Sequence, residues 1–210
     1  MLALIVCCFI GLSVVLAAEY FHKKQLIVTE TTRKSIHITH GLILLALIYL
    51  TQRWIIVSAE VIFFLMAIIS RRYKLFKSQH DVGRKTWGEF YFPAGVILIL
   101  ILGAPRWVFI LAILHLGFAD AAAALVGKRY GTNNTYTVFG QKKSIAGSFA
   151  FFVTSVILVG SALLISPEAA ASSSNIAIYL LPLMTTVAEN LGAFGSDNLL
   201  IPLAILALLG

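Results

Sequence analysis

Long apolar blocks separated by short polar ones set the reading of this chain. The first block runs from residue 2 to 20. It resembles the h-region of a signal peptide, with Ala17-Ala18 at its end. No basic n-region precedes it, however, and Lys23-Lys24 follow, so a retained helix is expected. Further apolar blocks lie at 36–50, 54–69, 92–102, 107–126, 145–165, 176–191 and 199–209. A spanning helix needs about 20 apolar residues, so the chain has room for about seven or eight spans. The last block reaches only about 16–18 Å at 1.5 Å per residue, against a hydrocarbon core of about 30 Å. It is either a half-helix or a span completed by tilt and by the residues before it. The expected fold class is all-α, a polytopic transmembrane bundle of about seven or eight membrane helices. A single domain over 1–210 is expected, with no internal repeat.

Composition strengthens this picture. Hydrophobic residues make up 60% of the 210 and charged residues 12%, where a soluble domain carries about 25% charged. The net charge of +7 would suit nucleic acid, but the cations sit in loops beside the apolar blocks. That placement fits membrane orientation and anionic phosphate instead. Cys7 and Cys8 are adjacent within the first block, a spacing that suits neither a disulfide nor a metal, and they read as apolar filler.

The cations also orient the chain. Lys23, Lys24, Arg33 and Lys34 follow the first block. Arg71, Arg72, Lys74, Lys77, Arg84 and Lys85 follow the third, and Lys128, Arg129, Lys142 and Lys143 the fifth. The alternate loops hold only Arg53 and Arg106, so the split is fourteen to two. The positive-inside rule then places the basic loops in the cytoplasm and the N-terminus outside. The polar segments with candidate chemistry all fall on that cytoplasmic face.

The central segment is 117–148, GFADAAAALVGKRYGTNNTYTVFGQKKSIAGS. Its acid, Asp120, lies inside an apolar helix, where a charge costs about 2.5–3.5 kcal/mol even on the lenient insertion scale. Gly117, Ala123, Ala124 and Gly127 fall near it at helical spacing. A small-residue stripe of this kind suits close helix packing, or the approach of a phosphate to a metal-binding or catalytic carboxylate. In KKSIAGS, Ser144 is a plausible N-cap whose helix start, with Lys142 and Lys143 just outside, can take an anion. The bland alternative is that both lysines only fix topology. No Walker A loop occurs.

Other polar groups enter the same face. In RKSIH at 33–37, Arg33 and His37 are four apart and can share a groove, or act as a snorkelling arginine with an interfacial histidine. A His37–His40 metal pair lacks further ligands nearby. Glu89 sits among Trp87, Phe90, Tyr91 and Phe92, and an aromatic belt explains the rings but not the acid. Glu189 and Asn190 lie in an apolar block, and Asp197-Asn198 follow a glycine-rich break. Intramembrane acids default to function, and these could share Mg²⁺ with Asp120. Glu60, His115 and Arg106 read as packing partners or helix-end anchors.

At these residues the chain resembles the CTP-dependent lipid kinase family: dolichol kinase, phytol kinase and the yeast-type diacylglycerol kinase. The likeness covers nearly the full length, from RKSIH through ADAAAALVGKRYG and KKSIAGS to Glu189 and the D-N-x-x-x-P element at 197–202. KSIAGS and the D-N element are its most specific parts. Ala119 stands before Asp120 where the family commonly has Gly, and the chain ends soon after its short last block. The acid–glycine–lysine–glycine core is also similar to that of phosphatidate cytidylyltransferases, but their histidine- and glycine-rich stretch with paired aspartates is missing here.

The resemblance implies a single integral-membrane lipid kinase-like domain that moves the γ-phosphoryl of CTP to a lipid alcohol such as dolichol or another polyprenol, phytol or diacylglycerol. It implies Asp120, Lys143 and Asp197 as catalytic residues. Gly127, Lys128, Arg129, Gly131, Lys143, Ser144, Gly147 and Ser148 would bind the nucleotide. Arg33, Lys34, His37 and Glu89 would meet the lipid at the interface, and Asp120, Glu189 and Asp197 would hold Mg²⁺. The implied partners are CTP, the alcohol and membrane lipids, without nucleic acid; a homo-oligomer stays open. CDP-lipid synthesis and a non-catalytic transporter are the alternatives.

Overall fold

Each apolar block forms a helix. The computed structural model describes residues 2–24, 29–73, 75, 86–172 and 176–210. The helices are α1 (Leu2–Lys23), α2 (Thr29–Leu50), α3 (Arg53–Tyr73), α4 (Gly88–Ile101), α5 (Arg106–Leu114), α6 (Asp120–Tyr130), α7 (Ile145–Ile165), α8 (Pro167–Ala171), α9 (Ile176–Leu191) and α10 (Asp197–Leu209). A π-helical turn, His115–Ala119, joins α5 to α6 without a break. Pro93, Pro182 and Pro202 lie inside α4, α9 and α10. Each removes one backbone hydrogen bond, which packed membrane helices tolerate because neighbours re-satisfy the freed groups.

Among the described residues, three helices are long and apolar enough to cross a membrane: Arg53–Tyr73, Arg106–Tyr130 and Ile145–Ile165. Further apolar helical stretches accompany them among the described residues: Cys8–Phe21 within α1, Lys34–Leu50 within α2, and the shorter helices Gly88–Ile101, Ile176–Leu191 and Asp197–Leu209. The helical architecture thus matches the expectation of an all-α bundle, and among the described residues three helices meet the length and apolarity of a full span.

The long helix Arg106–Tyr130 is the centre of the bundle. Of its apolar window 67% is buried, against 28% for Arg53–Tyr73 and 17% for Ile145–Ile165. Phe109, Leu111, Ile113 and Leu116 are fully enclosed and pack with Phe151, Ile178, Leu181, Ile201 and Ile205 from α7, α9 and α10. The outer helices instead turn large apolar residues outward, for example Phe149 and Ile157 on α7. Those faces suit lipid, where apolar exposure carries no penalty.

One element departs from an all-helical reading. The polar crossing between α6 and α7 is an antiparallel hairpin, β1 (Thr135–Val138) with β2 (Gln141–Ser144). Val138 pairs with Gln141 across a two-residue loop whose residues, Phe139 (φ 46°) and Gly140 (φ 76°), are both left-handed. That geometry is a type I′ turn, which matches the twist of the strands it joins.

Candidate active site

Asp120 begins α6 where the π turn ends, and its amide donates to the carbonyl oxygen of His115, five residues back. A π turn shifts the register of the following helix by about one residue, and such turns recur at functional sites. Here it is pinned from the side. His115 Nδ1 donates to the Leu111 carbonyl at 2.8 Å, and Nε2 lies 2.7 Å from the Ser155 hydroxyl on α7. Ser155 Oγ is 3.1 Å from Thr185 Oγ1 on α9. All three side chains are fully buried, so the start of α6 is tied to both neighbours. His115, expected as a packing residue, packs through hydrogen bonds.

The buried Asp120 carboxylate is ion-paired with Lys34 Nζ through Oδ2. A carboxylate at this depth needs an opposite charge. Lys34, expected at the lipid interface, is instead nine-tenths buried in the centre of the site. Of its expected companions, Arg33 lies on α2, outside the residues whose side chains are described. His37 packs its ring 5.0 Å from that of Phe92. Glu89 pairs with Arg71, whose guanidinium stacks 3.9 Å over Trp87 and donates to the Thr86 carbonyl at 3.0 Å. His37 and Glu89 both face a separate cavity.

A second acid–lysine pair lies where the hairpin meets α9. Lys143 Nζ is 2.5 Å from Glu189 Oε1 and 2.7 Å from the Glu189 carbonyl oxygen. Strand alternation explains why it reaches inward while Lys142 is exposed. The polar segment expected just outside the helix is strand, leading directly into α7, and the two lysines point to opposite faces. Tyr136, directly across the ladder from Lys143, donates to Asn190 Oδ1. Ser148 donates to the same oxygen at 2.8 Å, and Asn190 Nδ2 donates to the Thr186 carbonyl at 3.0 Å. Tyr136 was not a candidate from sequence. The run Thr-Tyr-Thr-Val before Phe-Gly is the strand-and-turn signal that marks it.

Ser144 caps α7 as expected, accepting from the Gly147 amide at 3.1 Å. Around that cap Gly127, Gly131 and Gly147 let α6 and α7 approach. A Cβ on Gly127 would fall 2.9 Å from Ser144 Oγ, and one on Gly147 2.9 Å from the Ala123 carbonyl oxygen. These three glycines act here in helix contact, with Ser144 filling the space between them. Lys128 and Arg129 end α6 exposed, with the Arg129 guanidinium 5.5 Å from the Tyr130 ring centre.

Asp197 and Asn198 start α10 after the tight bend at 192–196, where Phe194 (φ 55°) and Gly195 (φ 92°) are left-handed. The bend is strapped to α4, because the Trp87 amide donates to the Phe194 carbonyl at 2.7 Å. Asn198 is buried, and its Nδ2 donates to the Gly195 carbonyl at 3.0 Å.

Asp120 starts α6, Glu189 lies at the end of α9, and Asp197 starts α10 across the bend at 192–196. Among the described residues no three histidine, cysteine or carboxylate groups are gathered into a metal cage. One oxygen does fit a hard cation: Glu189 Oε2 is buried with no hydrogen-bond partner among the described residues, beside an Oε1 that Lys143 already engages. An oxygen donor of this kind suits Mg²⁺.

The fold and site together define a membrane protein that holds acid–lysine pairs inside a helical bundle. The chain is 30% identical over 202 residues to a phytol kinase of Synechocystis sp., a match covering 91% of this chain and 83% of that one. No family model matches the chain, and no solved structure does. The chain belongs to the CTP-dependent lipid kinase family.

Proposed function

We propose that this lipid kinase transfers the γ-phosphoryl group of CTP to the hydroxyl of a membrane lipid alcohol, at the cytoplasmic face of a multi-pass bundle with about seven or eight membrane helices. The observation that carries the reading is the Lys143–Glu189 pair, a cation fixed beside a buried carboxylate with one oxygen to spare. The phytol kinase relative supports a lipid acceptor. The fourteen-to-two split of cations between alternate loops supports the orientation, with the N-terminus outside.

Phosphoryl transfer asks a protein for in-line positioning and charge neutralisation more than for covalent chemistry. The alcohol oxygen bonds to the γ-phosphorus, the bond to the β–γ bridging oxygen breaks, and CDP leaves. The hydroxyl proton passes to a carboxylate, for which Asp120, Asp197 and Glu89 are the candidates. Asp120, Glu189 and Asp197 would hold Mg²⁺, which when bound neutralises phosphate charge. Lys143 takes further negative charge, with Lys128 and Arg129 at the exposed end of α6. Ser144, Gly147 and Ser148 set the start of α7 beside them.

The test is γ-labelled CTP supplied to the purified protein with a panel of lipid alcohols. Labelled lipid phosphate with release of CDP supports the proposal. A lipid carrying CMP, with release of pyrophosphate, overturns it, as does the absence of transfer to every alcohol.

A further inference from the structure

A second site opens beside the acid–lysine pairs. A cavity of about 80 Å³ lies between α1, α2, α3 and α4. Most of its wall is apolar, including Met66 and Ala67 of α3, but His37, His40, Ser70 and Glu89 also face it. Three of them are held in place: His40 Nε2 is 2.7 Å from Glu60 Oε1, Glu89 pairs with Arg71, and His37 packs on Phe92; Ser70 is buried beside them. A water needs roughly 10–15 Å³ by this measure, so the cavity exceeds the room for one or two solvent molecules. A space of this shape, apolar with a few fixed polar groups at one end, is the usual form of a small-molecule site.

Its position matters as much as its lining. His37 and Lys34 lie three residues apart on α2, about 4.5 Å along the axis and on neighbouring parts of one face. The cavity therefore begins one helical turn from the lysine that holds Asp120. It is closed by helices whose outer faces are apolar, such as Val61 and Leu65 on α3. Arg71, which holds the Glu89 carboxylate of its wall, also donates to the Thr86 carbonyl, and Lys34 is engaged by Asp120. A polyanion placed here would find a buried carboxylate and, among the described residues, no spare positive charge on the wall of the cavity. A neutral hydroxyl finds hydrogen-bonding groups, and the carbon chain behind it finds apolar walls.

We infer that this cavity receives the hydroxyl-bearing end of a long-chain primary alcohol, with the chain leaving sideways between the helices. Binding of such an alcohol is what the cavity's own chemistry argues; its meaning as the acceptor site rests on the kinase reading above. The hydroxyl end would sit one turn of α2 from the Lys34–Asp120 pair. The nucleotide would approach separately, from the hairpin side.

The experiment uses the full-length protein in lipid nanodiscs and a primary long-chain alcohol carrying a diazirine near its hydroxyl end. Photolabelling is expected on the α3 and α4 peptides that hold Met66, Ala67, Ser70 and Glu89. Ala67→Phe, which fills the cavity, should cut that labelling by about tenfold, the change expected from losing about 1.4 kcal/mol of binding. It should raise KM for the alcohol by a similar factor and leave KM for CTP within about twofold. Should Ala67→Phe not fold, Met66→Ala widens the cavity instead and should shift preference toward alcohols branched near the hydroxyl. Labelling that falls on lipid-facing positions such as Phe149 and is indifferent to both variants overturns the inference. Unchanged alcohol KM in both variants overturns it too. If cavity labelling appears but no phosphoryl transfer is detected in the unsubstituted protein, the kinase reading fails and the binding site stands.

Discussion

Tyr136 and Lys143 face each other across the hairpin ladder and reach consecutive residues of α9, Tyr136 to Asn190 and Lys143 to Glu189. One cross-strand pair thus fastens the hairpin to the end of α9 by a neutral hydrogen bond and a charged one. The charged contact bears on chemistry, because it fixes the cation beside the acids. The neutral contact bears on how well that cation is placed. The two can be separated by substitution.

Lys143→Ala should lower kcat/KM for CTP roughly ten- to hundredfold, matching the loss of a charge-assisted contact of about 1.5–3 kcal/mol. It also strands Glu189, whose side chain is only 7% exposed. Breaking a buried pair costs about 3–5 kcal/mol, so the melting temperature should fall as well. Lys143→Met with Glu189→Gln should recover stability without recovering activity. Lys142→Ala, on the exposed face, should change both quantities little. Equal and small effects at the two lysines would mean that both serve topology alone.

Tyr136→Phe removes only a hydroxyl. Asn190 Oδ1 keeps its bond from Ser148, so the stability cost should be about 1 kcal/mol, an ordinary hydrogen bond. The hairpin should open more often, read as faster amide exchange across Thr135–Val138 and Gln141–Ser144 with α7 unaffected. If Lys143 depends on this anchor, KM for CTP rises several-fold while exchange in the other helices stays constant. Unchanged exchange in the hairpin would show that Lys143 alone holds it.

The glycines provide a packing test with an internal control. Gly147→Ala places a Cβ 2.9 Å from both the Ala123 carbonyl oxygen and Ser144 Oγ. Backbone cannot yield there cheaply, so a loss of about 1–3 kcal/mol is expected. Gly160, on the same helix, has nothing within 4 Å of a would-be Cβ. Gly160→Ala should therefore be neutral or stabilise by up to about 1 kcal/mol through helix propensity. Similar melting temperatures for both variants would refute the close α6–α7 contact.

Much of this structure was readable from hydrophobic pattern. The blocks at 145–165 and 176–191 became α7 and α9 with the same bounds, since an apolar run between polar breaks has one way to satisfy its backbone in lipid. The Ser144 cap was readable too, because it is local chemistry. What pattern hid was pairing at a distance. Lys34 and Asp120 are 86 residues apart, and nothing in either neighbourhood names the other. The hairpin was hidden for a different reason: four-residue strands are too short for periodicity to outweigh a polar composition, and only the turn residues betray it. The π turn has no such local signature, since its extra residue shows only in register. Span number was less legible for a physical reason as well: the short helices α4, α9 and α10 cross a bilayer only with tilt or help from their flanks.

The Lys34–Asp120 pair changes what Asp120→Asn should do. From the sequence alone, an isosteric amide would be expected to leave the fold intact and remove only activity. With Lys34 nine-tenths buried against it, the substitution leaves an ammonium without its counter-charge. A stability loss of about 3–5 kcal/mol is then expected along with the loss of turnover. The two effects separate in a pair of variants. Asp120→Asn with Lys34→Met removes the stranded charge and should regain most of the melting temperature, since apolar replacements of buried pairs are often neutral or better. Turnover should stay absent in that variant, because the carboxylate itself is what phosphoryl transfer needs. Lys34→Met alone should destabilise by a similar amount and lower activity less completely. If Asp120→Asn with Lys34→Met folds and turns over CTP at near the original rate, the carboxylate is a structural counter-ion. The chemistry must then be assigned to Glu189 and Asp197.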